Sequence, residues 1–267
     1  MNELVEILSY PFAYRALIAG SLISLCASVL GVILVLKHYA LIGHGLSEIG
    51  FASLSLSSAL NIQPMYIAAP SVITASFIIM YISRKYRTAG DIAIAVASSA
   101  ALALGIVISS ASGKSSNMSS YLFGSVLAVS EADLVIAVIL AVIVIASFVV
   151  LYNRLFLITY SAEYAKTLGI NTGIYQLVVS VLTAFVVVAG MRITGTLLIS
   201  GVIILPAVSA KFIAGGFRSL VVISGIISLI AFWAGLVASF VLNIPAGAGV
   251  ILSNVIILIL VKVLKRS

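Results

Sequence analysis

His44 and Glu48 stand four residues apart in Gly43-His44-Gly45-Leu46-Ser47-Glu48, within an apolar stretch of a chain that is 63% hydrophobic and 8% charged. At that spacing two side chains share one face of a helix, so an imidazole and a carboxylate project together into whatever the face lines. Both groups are ligands for zinc, manganese and iron, and the pair suits a passing divalent cation. An ionised group in hydrocarbon costs about 2.5 to 3.5 kcal/mol on insertion scales. That cost argues against a lipid-facing Glu48 and for a protein or water cavity around it. The alternative is an internal hydrogen-bonded pair that holds no ligand.

The elements that must position this pair are membrane spans. A mean hydropathy of +1.33, with seven acidic and fourteen basic residues in 267, describes an all-α polytopic transmembrane bundle. Runs of about 20 apolar residues, each able to cross a hydrocarbon core of about 30 Å, place spans at 12–36, 41–60, 64–83, 91–111, 131–152, 174–190, 194–214, 218–241 and 246–264. The total is nine, or eight if one of the first two is re-entrant. The connecting segments are too short to fold a core of their own, so residues 1–267 read as a single transmembrane domain. The first run is preceded by Glu3 and Glu6 and lacks a basic leader, which marks it as a permanent span.

Charge then sets orientation. With Arg84, Lys85 and Arg87 in the cytoplasm, Lys37, Arg154, Lys166, Lys211, Arg218, Lys262, Lys265 and Arg266 join them, leaving Arg15, Lys114 and Arg192 outside. The positive-inside rule favours that arrangement and gives an external N-terminus. The net charge of +7 therefore reports topology and not nucleic-acid binding. Cys26, the one cysteine, reads as a small buried hydrophobe. His38 beside Lys37 reads as an interfacial residue.

Within the second span, Gly43, Ser47, Gly50, Ser53 and Ser57 recur at steps of three and four. Such a stripe lets helices approach closely, either inside the bundle or at a subunit interface around a shared pore. Pro206 lacks a backbone donor and predicts a kink after Ser200-Gly201. Asp91, and Glu131 with Asp133, fit helix N-terminal acids. Arg192 reads as an external-rim positive or a vestibule counter-ion, and Tyr121 and Phe123 as interfacial anchors, with part of a re-entrant external gate as the alternative. Gly113-Lys114-Ser115 resembles the end of a phosphate-binding loop, but Ile108 occupies the position of the glycine that motif requires.

From Asn153 to Thr172 the character changes. Ser161, Glu163, Lys166 and Asn171 surround Ala162, Ala165 and Leu168, predicting a two-turn helix from Ser161 to Leu168 with Gly169 as a left-handed cap. Such a segment is a solvated cytoplasmic linker, or the docking element of a membrane subunit on which a partner pushes.

The order of motifs resembles the membrane permease subunits of ABC-type importers for zinc, manganese and iron. Tyr10-Pro11-Phe12, Arg15-Ala16-Leu17, Gly43-x-x-Leu46-Ser47, Ser120 to Val129, Ala162 to Gly169, Gly195 to Ile199, Leu205-Pro206-Ala207 and Ile244-Pro245-Ala246-Gly247 carry the resemblance across nearly the whole chain. It implies a type II ABC importer-like bundle in a prokaryotic plasma membrane, itself non-catalytic and without a permanently bound cofactor. Its implied partners are a second copy of the chain, a cytoplasmic ATP-binding subunit, an extracellular metal-binding protein and membrane lipid. Ser161, Glu163, Ala165, Lys166 and Gly169 then belong to an ATPase-coupling helix within about 153–172, and His44 and Glu48 to the metal route. Relatives usually carry aspartate at the position of His44 and histidine at that of Glu48, so the two chemical types are exchanged here. Ser99 and Asn243 replace a frequent histidine and aspartate. The rival from another class is a stand-alone secondary transporter or channel using Glu48 as a proton-coupled group. No inverted repeat of short broken helices supports it. An export or assembly subunit on the same scaffold is a third reading.

Overall fold

The computed structural model describes residues 11–85, 90–113, 122–124 and 129–266. Its helices are α1 (Pro11–Leu36), α2 (Ala40–Leu60), α3 (Pro64–Lys85), α4 (Gly90–Ala111), α5 (Glu131–Tyr160), α6 (Ala162–Thr167), α7 (Thr172–Thr194), α8 (Ile199–Ile213), α9 (Phe217–Leu242) and α10 (Ala246–Arg266). Among the described residues there is no strand. Each of the nine expected spans is matched by a long helix, and seven of these are apolar and long enough to cross a membrane. The two exceptions are informative. The hydropathy of α2 is lowered by His44, Glu48 and its serines, and α8 has only fifteen residues, or about 22 Å at the helical rise.

Polar residues punctuate the bundle where local chemistry demands it. Asn61 ends α2 and Asn243 ends α9, both in the left-handed region, which asparagine tolerates better than most residues. A capping box opens α5: Ser130 Oγ accepts from the Asp133 amide, and the Asp133 carboxylate accepts from the Ser130 amide. Each satisfies an amide left over at a helix start. Pro206 does not end its helix. Gly195 to Leu198 form a turn and α8 runs on through Pro206, because Gly195 adopts φ 87° and ends α7.

α1 is the central post, packed against α5, α7, α8 and α9, with Ala16, Ala19, Cys26 and Ala27 fully or almost fully buried. Gly31 lets it touch α8, since a Cβ there would lie 1.8 Å from the Ile203 carbonyl oxygen. Serines fasten α1 to α9. Ser228 Oγ donates to the Ser24 carbonyl at 2.8 Å, Ser224 Oγ to that of Ser28 at 3.4 Å, and Trp233 Nε1 to Ser21 Oγ at 2.9 Å. Interhelical bonds of this kind in a membrane contribute about 0.6 kcal/mol each. The outward faces of α4, α5, α9 and α10 expose residues such as Leu104, Val149, Trp233 and Leu260, as lipid contact requires.

Successive long helices alternate in direction. The ends of α1, α3 and α5 meet the starts of α2 and α7 around a small apolar cavity lined by Leu34, Ile42, Met80, Ile158 and Val179. Lys37, Arg154, Lys166, Lys211, Arg218, Lys262 and Lys265 follow to that end of the bundle. At the other end Arg15 pairs with Glu131 and Arg192 with Asp133. The positive-inside rule makes the first end cytoplasmic. Arg87, Lys114, Tyr10 and Tyr121 lie outside the described residues, as do the side chains of Arg84, Lys85 and Asp91.

Candidate functional site

The second helix builds the site. Its buried residues, from Ile42 to Ser57, face neighbours on several sides. A Cβ on Gly43 would meet Ile203 of α8, one on Gly45 would meet Ile94 of α4, and one on Gly50 would meet Met191 of α7. Ser47, Ser53 and Ser57 are buried and return their hydroxyls to carbonyls of their own helix. The small-residue stripe is therefore packing within one chain, with both of its glycines facing the α7 and α8 side. A stripe of composition alone could not distinguish that from a subunit interface.

Leu41, His44, Ala52 and Leu56 form the open row of the same helix, exposed or half-buried. His44 and Glu48 belong to it and meet as the spacing predicts: Nε2 of His44 lies 3.1 Å from Oε1 of Glu48. Their exposures differ sharply, with 43% of the His44 side chain exposed and 7% of the Glu48 side chain. Glu48 Oε2 is buried with no hydrogen-bond partner. A buried carboxylate oxygen without a donor is costly, and a cation held between it and His44 would relieve that cost. Among the described residues no cluster of three or more His, Cys, Asp or Glu forms, so one chain offers two strong ligands and no closed cage. Ser99 is exposed on α4, and Asn243 is the cap of α9.

At the cytoplasmic end, α6 is one residue shorter at each end than expected, with Ser161 and Leu168 as its caps. Ser161 Oγ accepts from the Tyr164 amide at 3.2 Å. Gly169 takes φ 75°, and the Ile170 amide returns to the Ala165 carbonyl at 3.0 Å. Ala165 is fully buried against the bundle, whereas Glu163, Tyr164, Lys166, Leu168 and Gly169 are exposed. Phe148, Tyr152 and Phe156 of α5 pack on Phe217 at the start of α9, with ring centroids 5.4 to 6.3 Å apart. Arg154 donates to the Tyr175 hydroxyl of α7. Nearby, burial lowers the pKa of Lys37 below the usual lysine value. His38 is exposed in the turn before α2.

The external end holds a junction that hydropathy did not reveal. Three chain segments meet there through Gly124, Gly195 and Gly247. A Cβ on Gly124 would lie 2.3 Å from the Ile193 carbonyl oxygen, one on Gly195 2.3 Å from that of Leu122, and one on Gly247 2.0 Å from that of Thr194. The Leu197 amide donates to the Leu122 carbonyl at 3.3 Å. Beside the junction, Asp133 accepts from Ser130 and pairs with Arg192. Asp133 is thus both helix cap and counter-ion, and Arg192 is a rim residue with a fixed partner. The sequence signal was present, because these glycines lie in three of the motifs quoted above, but their convergence is tertiary.

A polytopic helical bundle with an ionisable pair on α2 and a short capped helix exposed at its basic end has the architecture of a multi-pass membrane protein. The model of the ABC 3 transport family matches residues 9–265, and the chain belongs to that family. It is 28% identical over 248 residues to the "Manganese import system permease protein ScaB" of Streptococcus gordonii, covering 93% of this chain and 89% of that one. It is 26% identical over 247 residues to the "High-affinity zinc uptake system membrane protein ZnuB" of Buchnera aphidicola, covering 92% and 94%. Among solved structures, "PsaBC from Streptococcus pneumoniae in complex with Fab" contains a chain 26% identical, with a TM-score of 0.87 over 97% of this chain and 94% of that one. The family and these relatives place the chain in the prokaryotic plasma membrane.

Proposed function

We propose that this chain is the membrane subunit through which a divalent metal ion, manganese or zinc, enters the cytoplasm by alternating access. It works as a homodimer, driven by a separate ATPase docked on α6 and supplied by an external metal-binding protein. The observation that carries this reading is the His44–Glu48 pair, with Glu48 buried and its second carboxylate oxygen unpartnered on the open row of α2. Two ligands per chain hold a cation weakly, and two copies related by a twofold axis double the set. Weak, shared coordination suits an ion that must leave again. Reversing imidazole and carboxylate relative to the usual order keeps both ligand types and exchanges their depth.

The coupling role rests on Ser161 to Gly169, where the buried Ala165 and an exposed surface of Glu163, Tyr164, Lys166 and Leu168 suit a partner that transmits force. In this reading the permease itself performs no catalysis. Proteoliposomes containing the chain, its ATPase and the binding protein should take up manganese or zinc only with ATP. Both His44→Ala and Glu48→Ala should lower uptake while leaving the ATPase bound. ATP-independent uptake by the chain alone would favour a secondary transporter. Wild-type uptake by both variants would return the pair to an internal hydrogen bond.

A further inference from the structure

The buried serines of α2 do not all behave alike. In a helix a serine hydroxyl usually donates to a carbonyl three or four residues back. Ser47 does so to His44 at 2.7 Å, Ser53 to Ile49 at 2.8 Å and Ser57 to Leu54 at 2.8 Å. Ser55 is 2% exposed, yet its Oγ has no hydrogen-bond partner. It stands seven residues beyond Glu48, on the same helical row, and Glu48 Oε2 is likewise buried and unpartnered. Two orphaned oxygens on one row of one helix, where neighbouring serines are all satisfied, mark a line built to receive something polar.

We infer that Ser55 is a second oxygen position on the cation's route, about 10 Å outward of Glu48 along the helix axis. The inference rests on the metal-conducting reading of His44 and Glu48. An inward-moving ion would exchange a hydration water for the Ser55 hydroxyl before it reaches the carboxylate. Ten ångströms is too far for one ion to touch both, so they are successive stops. A neutral hydroxyl is a hard, weak ligand that favours manganese over softer ions. It releases its ion readily, which an entry position needs. α4 flanks the row between the two stops: a Cβ on Gly105 would come 2.7 Å from Phe51 Cδ1 and 3.0 Å from Ala52 Cα. The principal neighbours of α4 are α2 and α3, so it is the element whose shift would open the row.

The test uses the whole complex in proteoliposomes, with manganese as the probe. Ser55→Ala should slow manganese uptake about fivefold, the factor corresponding to one weak contact of about 1 kcal/mol, with the complex assembling normally. Ser57→Ala removes a satisfied buried hydroxyl from the same helix and should leave uptake unchanged. Ser55→Cys should be modified by a small cationic thiol reagent during ATP turnover, and excess manganese should protect it. The unaltered chain supplies the background, since Cys26 is 0% exposed. Equal losses in Ser55→Ala and Ser57→Ala, or a Ser55→Cys thiol that is never modified or never protected, would overturn the inference. Glu48→Gln separates the two levels. If it abolishes uptake while the Ser55 variants behave as wild type, only the second stop fails. If it transports normally, the metal-conducting reading fails and Ser55 with it.

Discussion

Replacing Gly195 by alanine should loosen the external end of the bundle. Gly195 lies at φ 87° and ψ 155°, a region essentially reserved for glycine, and holding another residue there costs about 1 to 3 kcal/mol. The new Cβ would also lie 2.3 Å from the Leu122 carbonyl oxygen and 2.5 Å from the Phe123 carbonyl carbon. Those atoms are backbone and cannot rotate away, so segment 122–124 must separate from the turn, straining the 3.3 Å bond from the Leu197 amide to the Leu122 carbonyl. Gly169 is the internal comparison. It has a similar φ of 75° but open space around its Cβ position, so Gly169→Ala carries only the left-handed penalty of about 1 to 2 kcal/mol. At about 2 to 4 °C per kcal/mol for a chain of this size, the two variants should separate by several degrees in detergent-solubilised thermal unfolding. Gly195→Ala should melt lower. If Gly195→Ala melts with or above Gly169→Ala, the three-segment junction does not hold the external end.

Two further outcomes follow from charged groups at opposite ends. Asp133→Ala removes the carboxylate half of a capping box, hydrogen bonds to a charged group that are worth about 1.5 to 3 kcal/mol each, and strips Arg192 of its partner. Arg192→Met should cost less because 39% of the Arg192 side chain is exposed and such pairs contribute up to about 1 kcal/mol. Thermal melts of both singles and the double variant should show non-additive losses, and strict additivity would refute the pairing. For Lys37, burial lowers the folded pKa below the unfolded value of 10.5, so the unfolded chain binds more protons between those two values and folding strengthens as pH rises through that window. Lys37→Met should therefore melt higher than wild type at neutral pH, with the gap narrowing toward pH 10.5. A gap that widens with pH would reverse the assigned sign.

Much of this protein is decided by residues close together in sequence. The long helices among the described residues, the Ser161 cap, the left-handed Gly169 and the meeting of His44 with Glu48 all depend on hydropathy or hydrogen bonds within about one helical turn. Other features required the packed bundle. That α2 is enclosed by α3, α4, α7 and α8 decides that Glu48 is buried while His44 remains open, and that the glycine and serine stripe serves packing within the chain. That Gly124, Gly195 and Gly247 touch backbone to backbone is decided by segments far apart in the chain, as is the pairing of Arg192 with an aspartate in a cap 59 residues away. Composition specifies that a residue is small or polar, but which neighbour excludes water from it, or leaves its oxygen without a donor, is settled only when the helices close around it.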